Sequence, residues 1–272
     1  MTGQSVVAGT SDGKEAGLAN AIYKGIENSP VKLTDGRWEG KPYVEGGASR
    51  PAAGLVEDFI LSDDLNGDGR SESVVLLWQN SGGTGTFGHL AVMVEVDGEW
   101  VNLATAPVGD RVQIRSGEIS GESIQLDVVQ QGEADAGCCP TQLATRSWRL
   151  VESGLIEDET IVTGTLSLSV LEGTGWALED AAATLLFNDG TVSGNSGCNR
   201  YSAGIEYGPA PGEISIGPAM GTRMACPEEQ MAAEHKFLDS LSRVNTFRFL
   251  AGKLALTGER ESETFTLKFN RQ

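Results

Sequence analysis

Short runs in which apolar and polar residues alternate cover most of the chain, and turn residues separate nearly every pair of them. That period of two is the signature of half-buried β-strands. Between Val31 and Asp158 the runs are Phe59 to Leu61, Ser73 to Trp78, Leu90 to Val96, Trp100 to Ala104, Val112 to Arg115, Ile124 to Val129 and Arg146 to Val151. Asp97-Gly98 stands between two of them and predicts a tight antiparallel hairpin, because the favoured turn needs positive φ at its central positions. The theme returns at Ala183 to Phe187, Thr191 to Val192, Ile214 to Ile216, Thr246 to Leu250, Lys253 to Leu256 and Thr264 to Phe269, with turns at Asp189-Gly190 and Ala251-Gly252.

Two stretches switch to helical period. In Lys14 to Ile26, Leu18, Ile22 and Ile26 lie four apart, with Gly25 and Pro30 as stop signals, which predicts a short N-terminal helix. Pro227 to Val244 opens with proline at the first helical position and Glu228 and Glu229 in the first turn; Met231, Glu234, Phe237, Leu238 and Leu241 follow at helical spacing. Phe237, Leu238 and Leu241 should face the core. The expected fold class is therefore mainly β with few helices.

A chain of 272 residues exceeds the usual single core of about 100 to 150 residues, so two domains are expected. The first spans 14–158 as an antiparallel β domain with the short helix, and the second spans 170–270. Thr160 to Ser169 alternates like a strand and not like a linker, so the boundary falls somewhere between 153 and 172.

A net charge of −18 disfavours nucleic acid and anionic lipid surfaces, where binding rests on Lys and Arg. The longest apolar run, around Val74 to Trp78, is strand-sized and far short of the roughly 20 residues that span a bilayer, so no transmembrane segment is expected. Met1 to Gly13 has no basic start, apolar centre or cleavage site, so a secretion signal is absent from this sequence. Cys138, Cys139, Cys198 and Cys226 form no CxxC pair and have no histidine close by to complete a zinc site. Disulfides fit these four better than metal, and disulfides point to an oxidising compartment.

The run from Phe187 through Gly194, Gly197, Cys198, Asn199, Arg200 and Tyr201, then Thr222, Met224, Cys226 and Pro227, then Glu234 and the Leu238 helix, resembles the META (HslJ-like) domain signature. Gly175-Trp176 before it and Leu254 to Leu256 after it also fall in place. The GCNxY and TxMxC elements carry the likeness, through Gly197, Asn199, Tyr201, Thr222 and Met224, with Pro227 following. The resemblance implies a barrel-like β domain with one helix, of a kind found in bacterial heat-shock-associated and envelope lipoproteins, and no established catalysis. Gly194, Gly197, Asn195 and Asn199 read independently as backbone that turns sharply or approaches a neighbour closely. Upstream, Gly109-Asp110-Arg111, Cys138-Cys139-Pro140 and Trp148-Arg149-Leu150 look like a region of uncharacterised bacterial lipoproteins.

Cys198 and Cys226 lie on the two signature segments, so a bond between them would close a loop of about 28 residues and stabilise by roughly 3 kcal/mol; buried free thiols are the alternative. Adjacent Cys138 and Cys139 form either a vicinal disulfide or bonds to other partners, since four cysteines allow three full pairings.

Asp64, Asn66, Asp68, Arg70 and Glu72 form the strongest chemical motif. Side-chain oxygens at positions 1, 3, 5 and 9, with the Arg70 carbonyl at 7, can surround a Ca²⁺, and glycine permits the sharp turn. The motif resembles the calcium loops of dockerins and propeller repeats, but Val75 stands where an EF-hand needs its bidentate glutamate. The competing reading is a β-turn whose Asp and Asn satisfy their own backbone.

Weaker motifs fail on context. Gly83, Gly85 and Gly88 match GxGxxG, but a strand follows where a pyrophosphate needs a helix N-terminus. Gly9, Ser11 and Gly13 match GxSxG without the strand and helix of a nucleophile elbow. His89 and His235 suggest no triad, and neither Asp63 with Asp64 nor Glu228 with Glu229 places carboxyls across a sugar. Trp38, Tyr43 and Trp100 are assigned to core packing before any binding face.

These readings converge on a non-enzymatic bacterial envelope protein: periplasmic, at the outer envelope or secreted, with a lipid anchor on its precursor. Its role would be to bind or scaffold an unidentified protein or envelope component within a stress-linked family, with Ca²⁺ the only cofactor indicated. The alternative is a small-ligand carrier that uses a barrel cavity.

Overall fold

The computed structural model describes residues 12–272, so Gly9 and Ser11 of the GxSxG match lie outside the described residues. The described part is mainly β with two α-helices, and it divides into two units between Gly164 and Thr165.

Unit 1 opens with α1 (Asp12–Leu18) and continues through β1 (Ile22–Tyr23), β2 (Val31–Lys32), β3 (Arg37–Glu39), β4 (Ala52–Asp63), β5 (Glu72–Asn80), β6 (Phe87–Val96) and β7 (Glu99–Asp110). These strands make one sheet in the order β2-β1-β7-β6-β5-β4-β3. Then β8 (Gln113–Ser120), β9 (Ser123–Gln130), β10 (Gln142–Val151) and β11 (Gly154–Thr165) form a second sheet in the order β11-β10-β9-β8. Each run that alternates in sequence became part of a strand. Asp97 and Gly98 sit at φ 53° and 83° between paired Val96 and Glu99, the hairpin expected there.

Two expectations for unit 1 are corrected. The N-terminal helix ends at Leu18 and does not reach Ile26. The Asn20 side chain donates back to the Ala16 carbonyl, and the Ala19 and Ala21 carbonyls accept from Gly36 and Leu33. Backbone groups after Leu18 thus find partners in other segments, and Ile22 enters a strand with its side chain 48% exposed. The domain is also not wholly antiparallel, since β1 runs parallel to β7 at Ile22 and Val101. The core gathers Leu18, Tyr23, Leu33, Leu77 and Met93, with Trp38 and Trp100 packed against it, while Tyr43 is exposed.

Unit 2 contains β12 (Gly175–Leu178), β13 (Thr184–Asn188), β14 (Thr191–Asn195), β15 (Arg200–Tyr207), β16 (Ile214–Ile216), β17 (Met220–Gly221), α2 (Glu228–Leu241), β18 (Val244–Leu250), β19 (Lys253–Arg260) and β20 (Glu263–Arg271). The strand order is β16-β15-β14-β13-β12-β20-β19-β18, with β17 added on β15. A bridge between Glu213 and Thr246 brings the β16 end to the β18 end, so the sheet nearly closes into a barrel. Trp176, Phe187, Phe247, Phe249 and Phe269 fill its interior; ring contacts join Phe249 to both Trp176 and Phe247. The helix begins at Glu228 and not at Pro227, whose ψ of 146° is extended, and it gives way to β18 at Val244. Phe237 and Leu241 are buried, Leu238 is half-buried, and Glu234 shares the inward face.

Candidate functional site

The residues that carried the family resemblance converge on one buried carboxylate. Glu234 is held on the inward face of α2, and the turn between β14 and β15 presents Ser196 and Asn199 to it. Gly197 sits at φ 107°, a conformation few side chains tolerate. At Gly194 a Cβ would collide with the Thr184 carbonyl oxygen, the close approach its glycine permits.

Asn199 uses every polar atom it has. Its backbone N–H and its Nδ2 donate to Glu234 Oε1 and Oε2 at 3.1 and 3.0 Å. Its Oδ1 accepts from Thr222 Oγ at 2.8 Å and from the Met224 N–H at 2.7 Å. Ser196 Oγ also hydrogen-bonds Glu234. Burial alone would push the Glu234 carboxyl up; the Ser196 and Asn199 donors, with His235 nearby, outweigh it and hold the group below the usual carboxylate range. A desolvated charge persists because its hydrogen bonds are supplied by fixed donors.

Thr222 is itself tied to β15, donating its N–H to the Arg200 carbonyl at 3.0 Å and accepting from the Arg200 N–H at 3.2 Å. Tyr201 reaches the Thr184 carbonyl at 2.8 Å and meets Phe237 edge-on at 5.7 Å, and burial raises its phenol pKa. Cys198 and Cys226 are disulfide-bonded with Cα atoms 6.1 Å apart, which fastens the segment before α2 to the same turn. Pro227 directly precedes the helix as its N-cap residue. Above this knot lies a groove of about 680 Å³ lined by Asn199, Tyr201, Met220, Met224, Glu234 and His235. Met220 and Met224 are 78% and 59% exposed, so Met224 contributes its backbone to the knot and leaves its side chain at the rim.

The loop from Asp64 to Glu72 is closed on itself. Asp64 Oδ1 and Oδ2 accept from the Gly67 and Gly69 N–H groups, Asn66 Oδ1 from Asp68 N–H, and Asp68 Oδ1 from Arg70 N–H. Asp68 Oδ2 accepts from the Arg70 guanidinium at 2.8 Å, and that hydrogen bond chiefly holds the Asp68 carboxyl below its ordinary range. Glu72 is buried and accepts from the Leu65 N–H and from Asn66 Nδ2. The oxygens expected at positions 1, 3, 5 and 9 are thus in one loop, and the Arg70 side chain supplies a positive charge to Asp68. Among the described residues no group of three or more His, Cys, Asp or Glu is placed to hold a metal ion.

Cys138 and Cys139 form a vicinal disulfide in the β9–β10 loop. Asp135 secures the base of that loop, accepting from the Gly132 and Thr141 N–H groups and from Thr141 Oγ, and Arg111 reaches the Gly137 carbonyl at 3.2 Å. Gly83, Gly85 and Gly88 lie in and just beyond the β5–β6 hairpin, with Gly88 already within β6, and no helix follows them. His235 is exposed. His89 is buried on β6 beside Leu77 and Pro107, and neither ring nitrogen has a hydrogen-bond partner. Sequence reasoning missed Ser196 and the burial of His89: a lone serine carries no periodic signal, and a histidine at a strand start reads as polar. Arg146, buried and forked onto Glu157 while donating to the Val108 carbonyl, escaped for the same reason.

A mainly β chain whose second unit is a nearly closed barrel, braced by a helix and a disulfide at one buried carboxylate, defines a structural class before any relative is considered. The META domain family model matches residues 141–270, so this part of the chain contains a META domain; the match also takes in β10 and β11 of unit 1. No curated protein matches the chain. An NMR structure of a protein from Burkholderia xenovorans aligns at 22% identity and a TM-score of 0.31, covering 42% of this chain and 94% of that one. That likeness is too slight to bear on fold or function.

Proposed function

We propose that this chain is a non-enzymatic protein of the bacterial cell envelope, periplasmic, outer-envelope or secreted, that binds or scaffolds another macromolecule. The observation that carries this reading is that all four cysteines are in disulfides, one of them fastening the META signature itself. Such bonds persist in oxidising compartments. A lipid anchor on the precursor and a stress-linked role belong to the same reading through the META resemblance. The side chains that converge in unit 2, Asn199, Ser196, Thr222 and Glu234, spend their polar atoms on one another. That is the behaviour of a brace and not of an acid, base or nucleophile awaiting substrate.

The groove above the brace is the face best suited to a partner, because exposed methionines adapt to varied apolar surfaces. The test is site-specific photocrosslinking in an exporting bacterium, with the reactive residue at Met224 and, as a control, at Val44. A discrete envelope adduct from position 224 alone supports the reading; identical patterns from both positions contradict it. The carrier alternative draws less support, since Trp176, Phe247, Phe249 and Phe269 occupy the barrel interior that a ligand would need.

Calcium at Asp64–Glu72 is also part of the proposal. The donor set is that of a hard-cation loop, and a bound ion would take over from the Arg70 guanidinium as the positive charge on Asp68.

A further inference from the structure

The strand β11 is twelve residues long, and every residue from Ile156 to Thr165 is exposed. It is the outermost strand of its sheet, with β10 on one side and no strand hydrogen-bonded on the other among the described residues. The opposite edge of this sheet, β8, is eight residues long, partly buried and in contact with β4. β2 and β3 are two and three residues long, and β16 and β18 meet to close the unit 2 barrel. A long open edge is a template for another strand, and this one also displays Ile156, Ile161 and Val162 at 44%, 50% and 56% exposure.

The charges on β11 argue against a basic partner. Glu157 is forked onto Arg146, which holds its carboxyl below the usual range, and Asp158 pairs with Arg149 at 2.8 Å. Beyond those two ion pairs the strand offers backbone, apolar surface and one further acid, Glu159. The sequence of the strand is complementary to itself when reversed. With Thr160 on a two-fold axis, Glu159 faces Ile161, Asp158 faces Val162 and Glu157 faces Thr163. The acidic triplet of each copy then meets only uncharged residues of the other, which avoids the like-charge pairs that destabilise antiparallel neighbours.

We propose that β11 pairs antiparallel with β11 of a second copy of this chain about a two-fold axis at Thr160, joining two four-stranded sheets into one of eight. The interface is isologous, as expected of a two-fold dimer. Two chains each carrying −18 repel at long range, so this dimer tightens as salt screens them.

The test is sedimentation equilibrium of the full chain across micromolar concentrations at low and high salt, with Ile161→Glu as the variant. Ile161 is exposed, so the variant folds, which a melt verifies. The expected result is a concentration-dependent dimer that strengthens with salt and that Ile161→Glu, by setting a like charge opposite Glu159 of the other copy, weakens by about tenfold or more. A second measurement fixes the register. Thr160→Cys should cross-link to its own copy on oxidation, because a residue on the axis faces itself within disulfide reach; Val162→Cys should not, since it lies about four residues from its counterpart. A monomer under all conditions overturns the proposal. So does a dimer that is indifferent to Ile161→Glu and shows no cross-linking preference for position 160.

Discussion

Asn199 and Glu234 meet twice, backbone N–H to Oε1 and Nδ2 to Oε2, so a turn between two strands and a helix 35 residues later share one carboxylate. Either partner alone is useless in that place: the carboxylate would be desolvated without donors, and the donors would be buried without an acceptor. Asn199→Ala should therefore cost about 2 to 3 kcal/mol, the range for losing hydrogen bonds to a buried charge. Urea denaturation gives the number, and an unchanged midpoint would remove the knot from the account.

The same carboxylate sets an acid limit. Glu234 titrates below its ordinary value of 4.5 in the folded protein, so the unfolded chain binds its proton first as pH falls. Its contribution is complete above about that value and is lost as pH drops through the lower, folded pKa. Melting temperatures from pH 6 down to pH 3 should fall less steeply for Glu234→Gln than for the native chain. Parallel profiles would show that Glu234 does not carry the shift.

His89 acts in the opposite chemical sense with the same pH direction. Burial lowers its pKa from the ordinary 6.5, against a smaller upward pull from Glu27, so the folded state prefers the neutral ring. That preference is fully felt above pH 6.5 and fades as the unfolded chain takes up a proton below it. His89→Leu removes two ring nitrogens without partners and should raise stability at neutral pH by roughly 1 kcal/mol, while flattening the loss between pH 6.5 and 5. A destabilised variant would mean that the nitrogens are satisfied by solvent.

For the Asp64–Glu72 loop the expected result is a higher melting temperature with millimolar Ca²⁺ than with chelator, and no difference in Asp68→Ala. Identical melts of the native chain in the two solutions would reduce the loop to a turn that satisfies its own backbone.

The turns were the most legible part of the sequence. Asp97-Gly98, Asp189-Gly190 and Ala251-Gly252 all adopt the paired positive φ that their composition demands. Strand centres followed from alternation, since one face of nearly every strand is buried. The failures share a cause, namely that partners distant in sequence outweigh local pattern. Ile22 has helical spacing from Leu18 yet is drawn into a strand by β2 and β7. β4 carries Asp58 at φ 59° within an irregular register that no local signal announces. β15 went unrecognised as a strand, and Glu234, an acid on an inward helical face, has a reason only once Asn199 is in place. For the site, the resemblance found Asn199, Thr222 and Met224 as a set, but their common attachment to Glu234 is a tertiary fact.

The most direct test of the central claim, that this is an envelope protein built around oxidised cysteines, is thiol trapping of the chain expressed with and without an export signal. The exported protein should contain no alkylatable cysteine. The retained protein should expose Cys198 and Cys226 and be less stable by about 3 to 4 kcal/mol, the chain-entropy value for a 28-residue loop. Free thiols in the exported protein, or equal stability of the two forms, would contradict the claim.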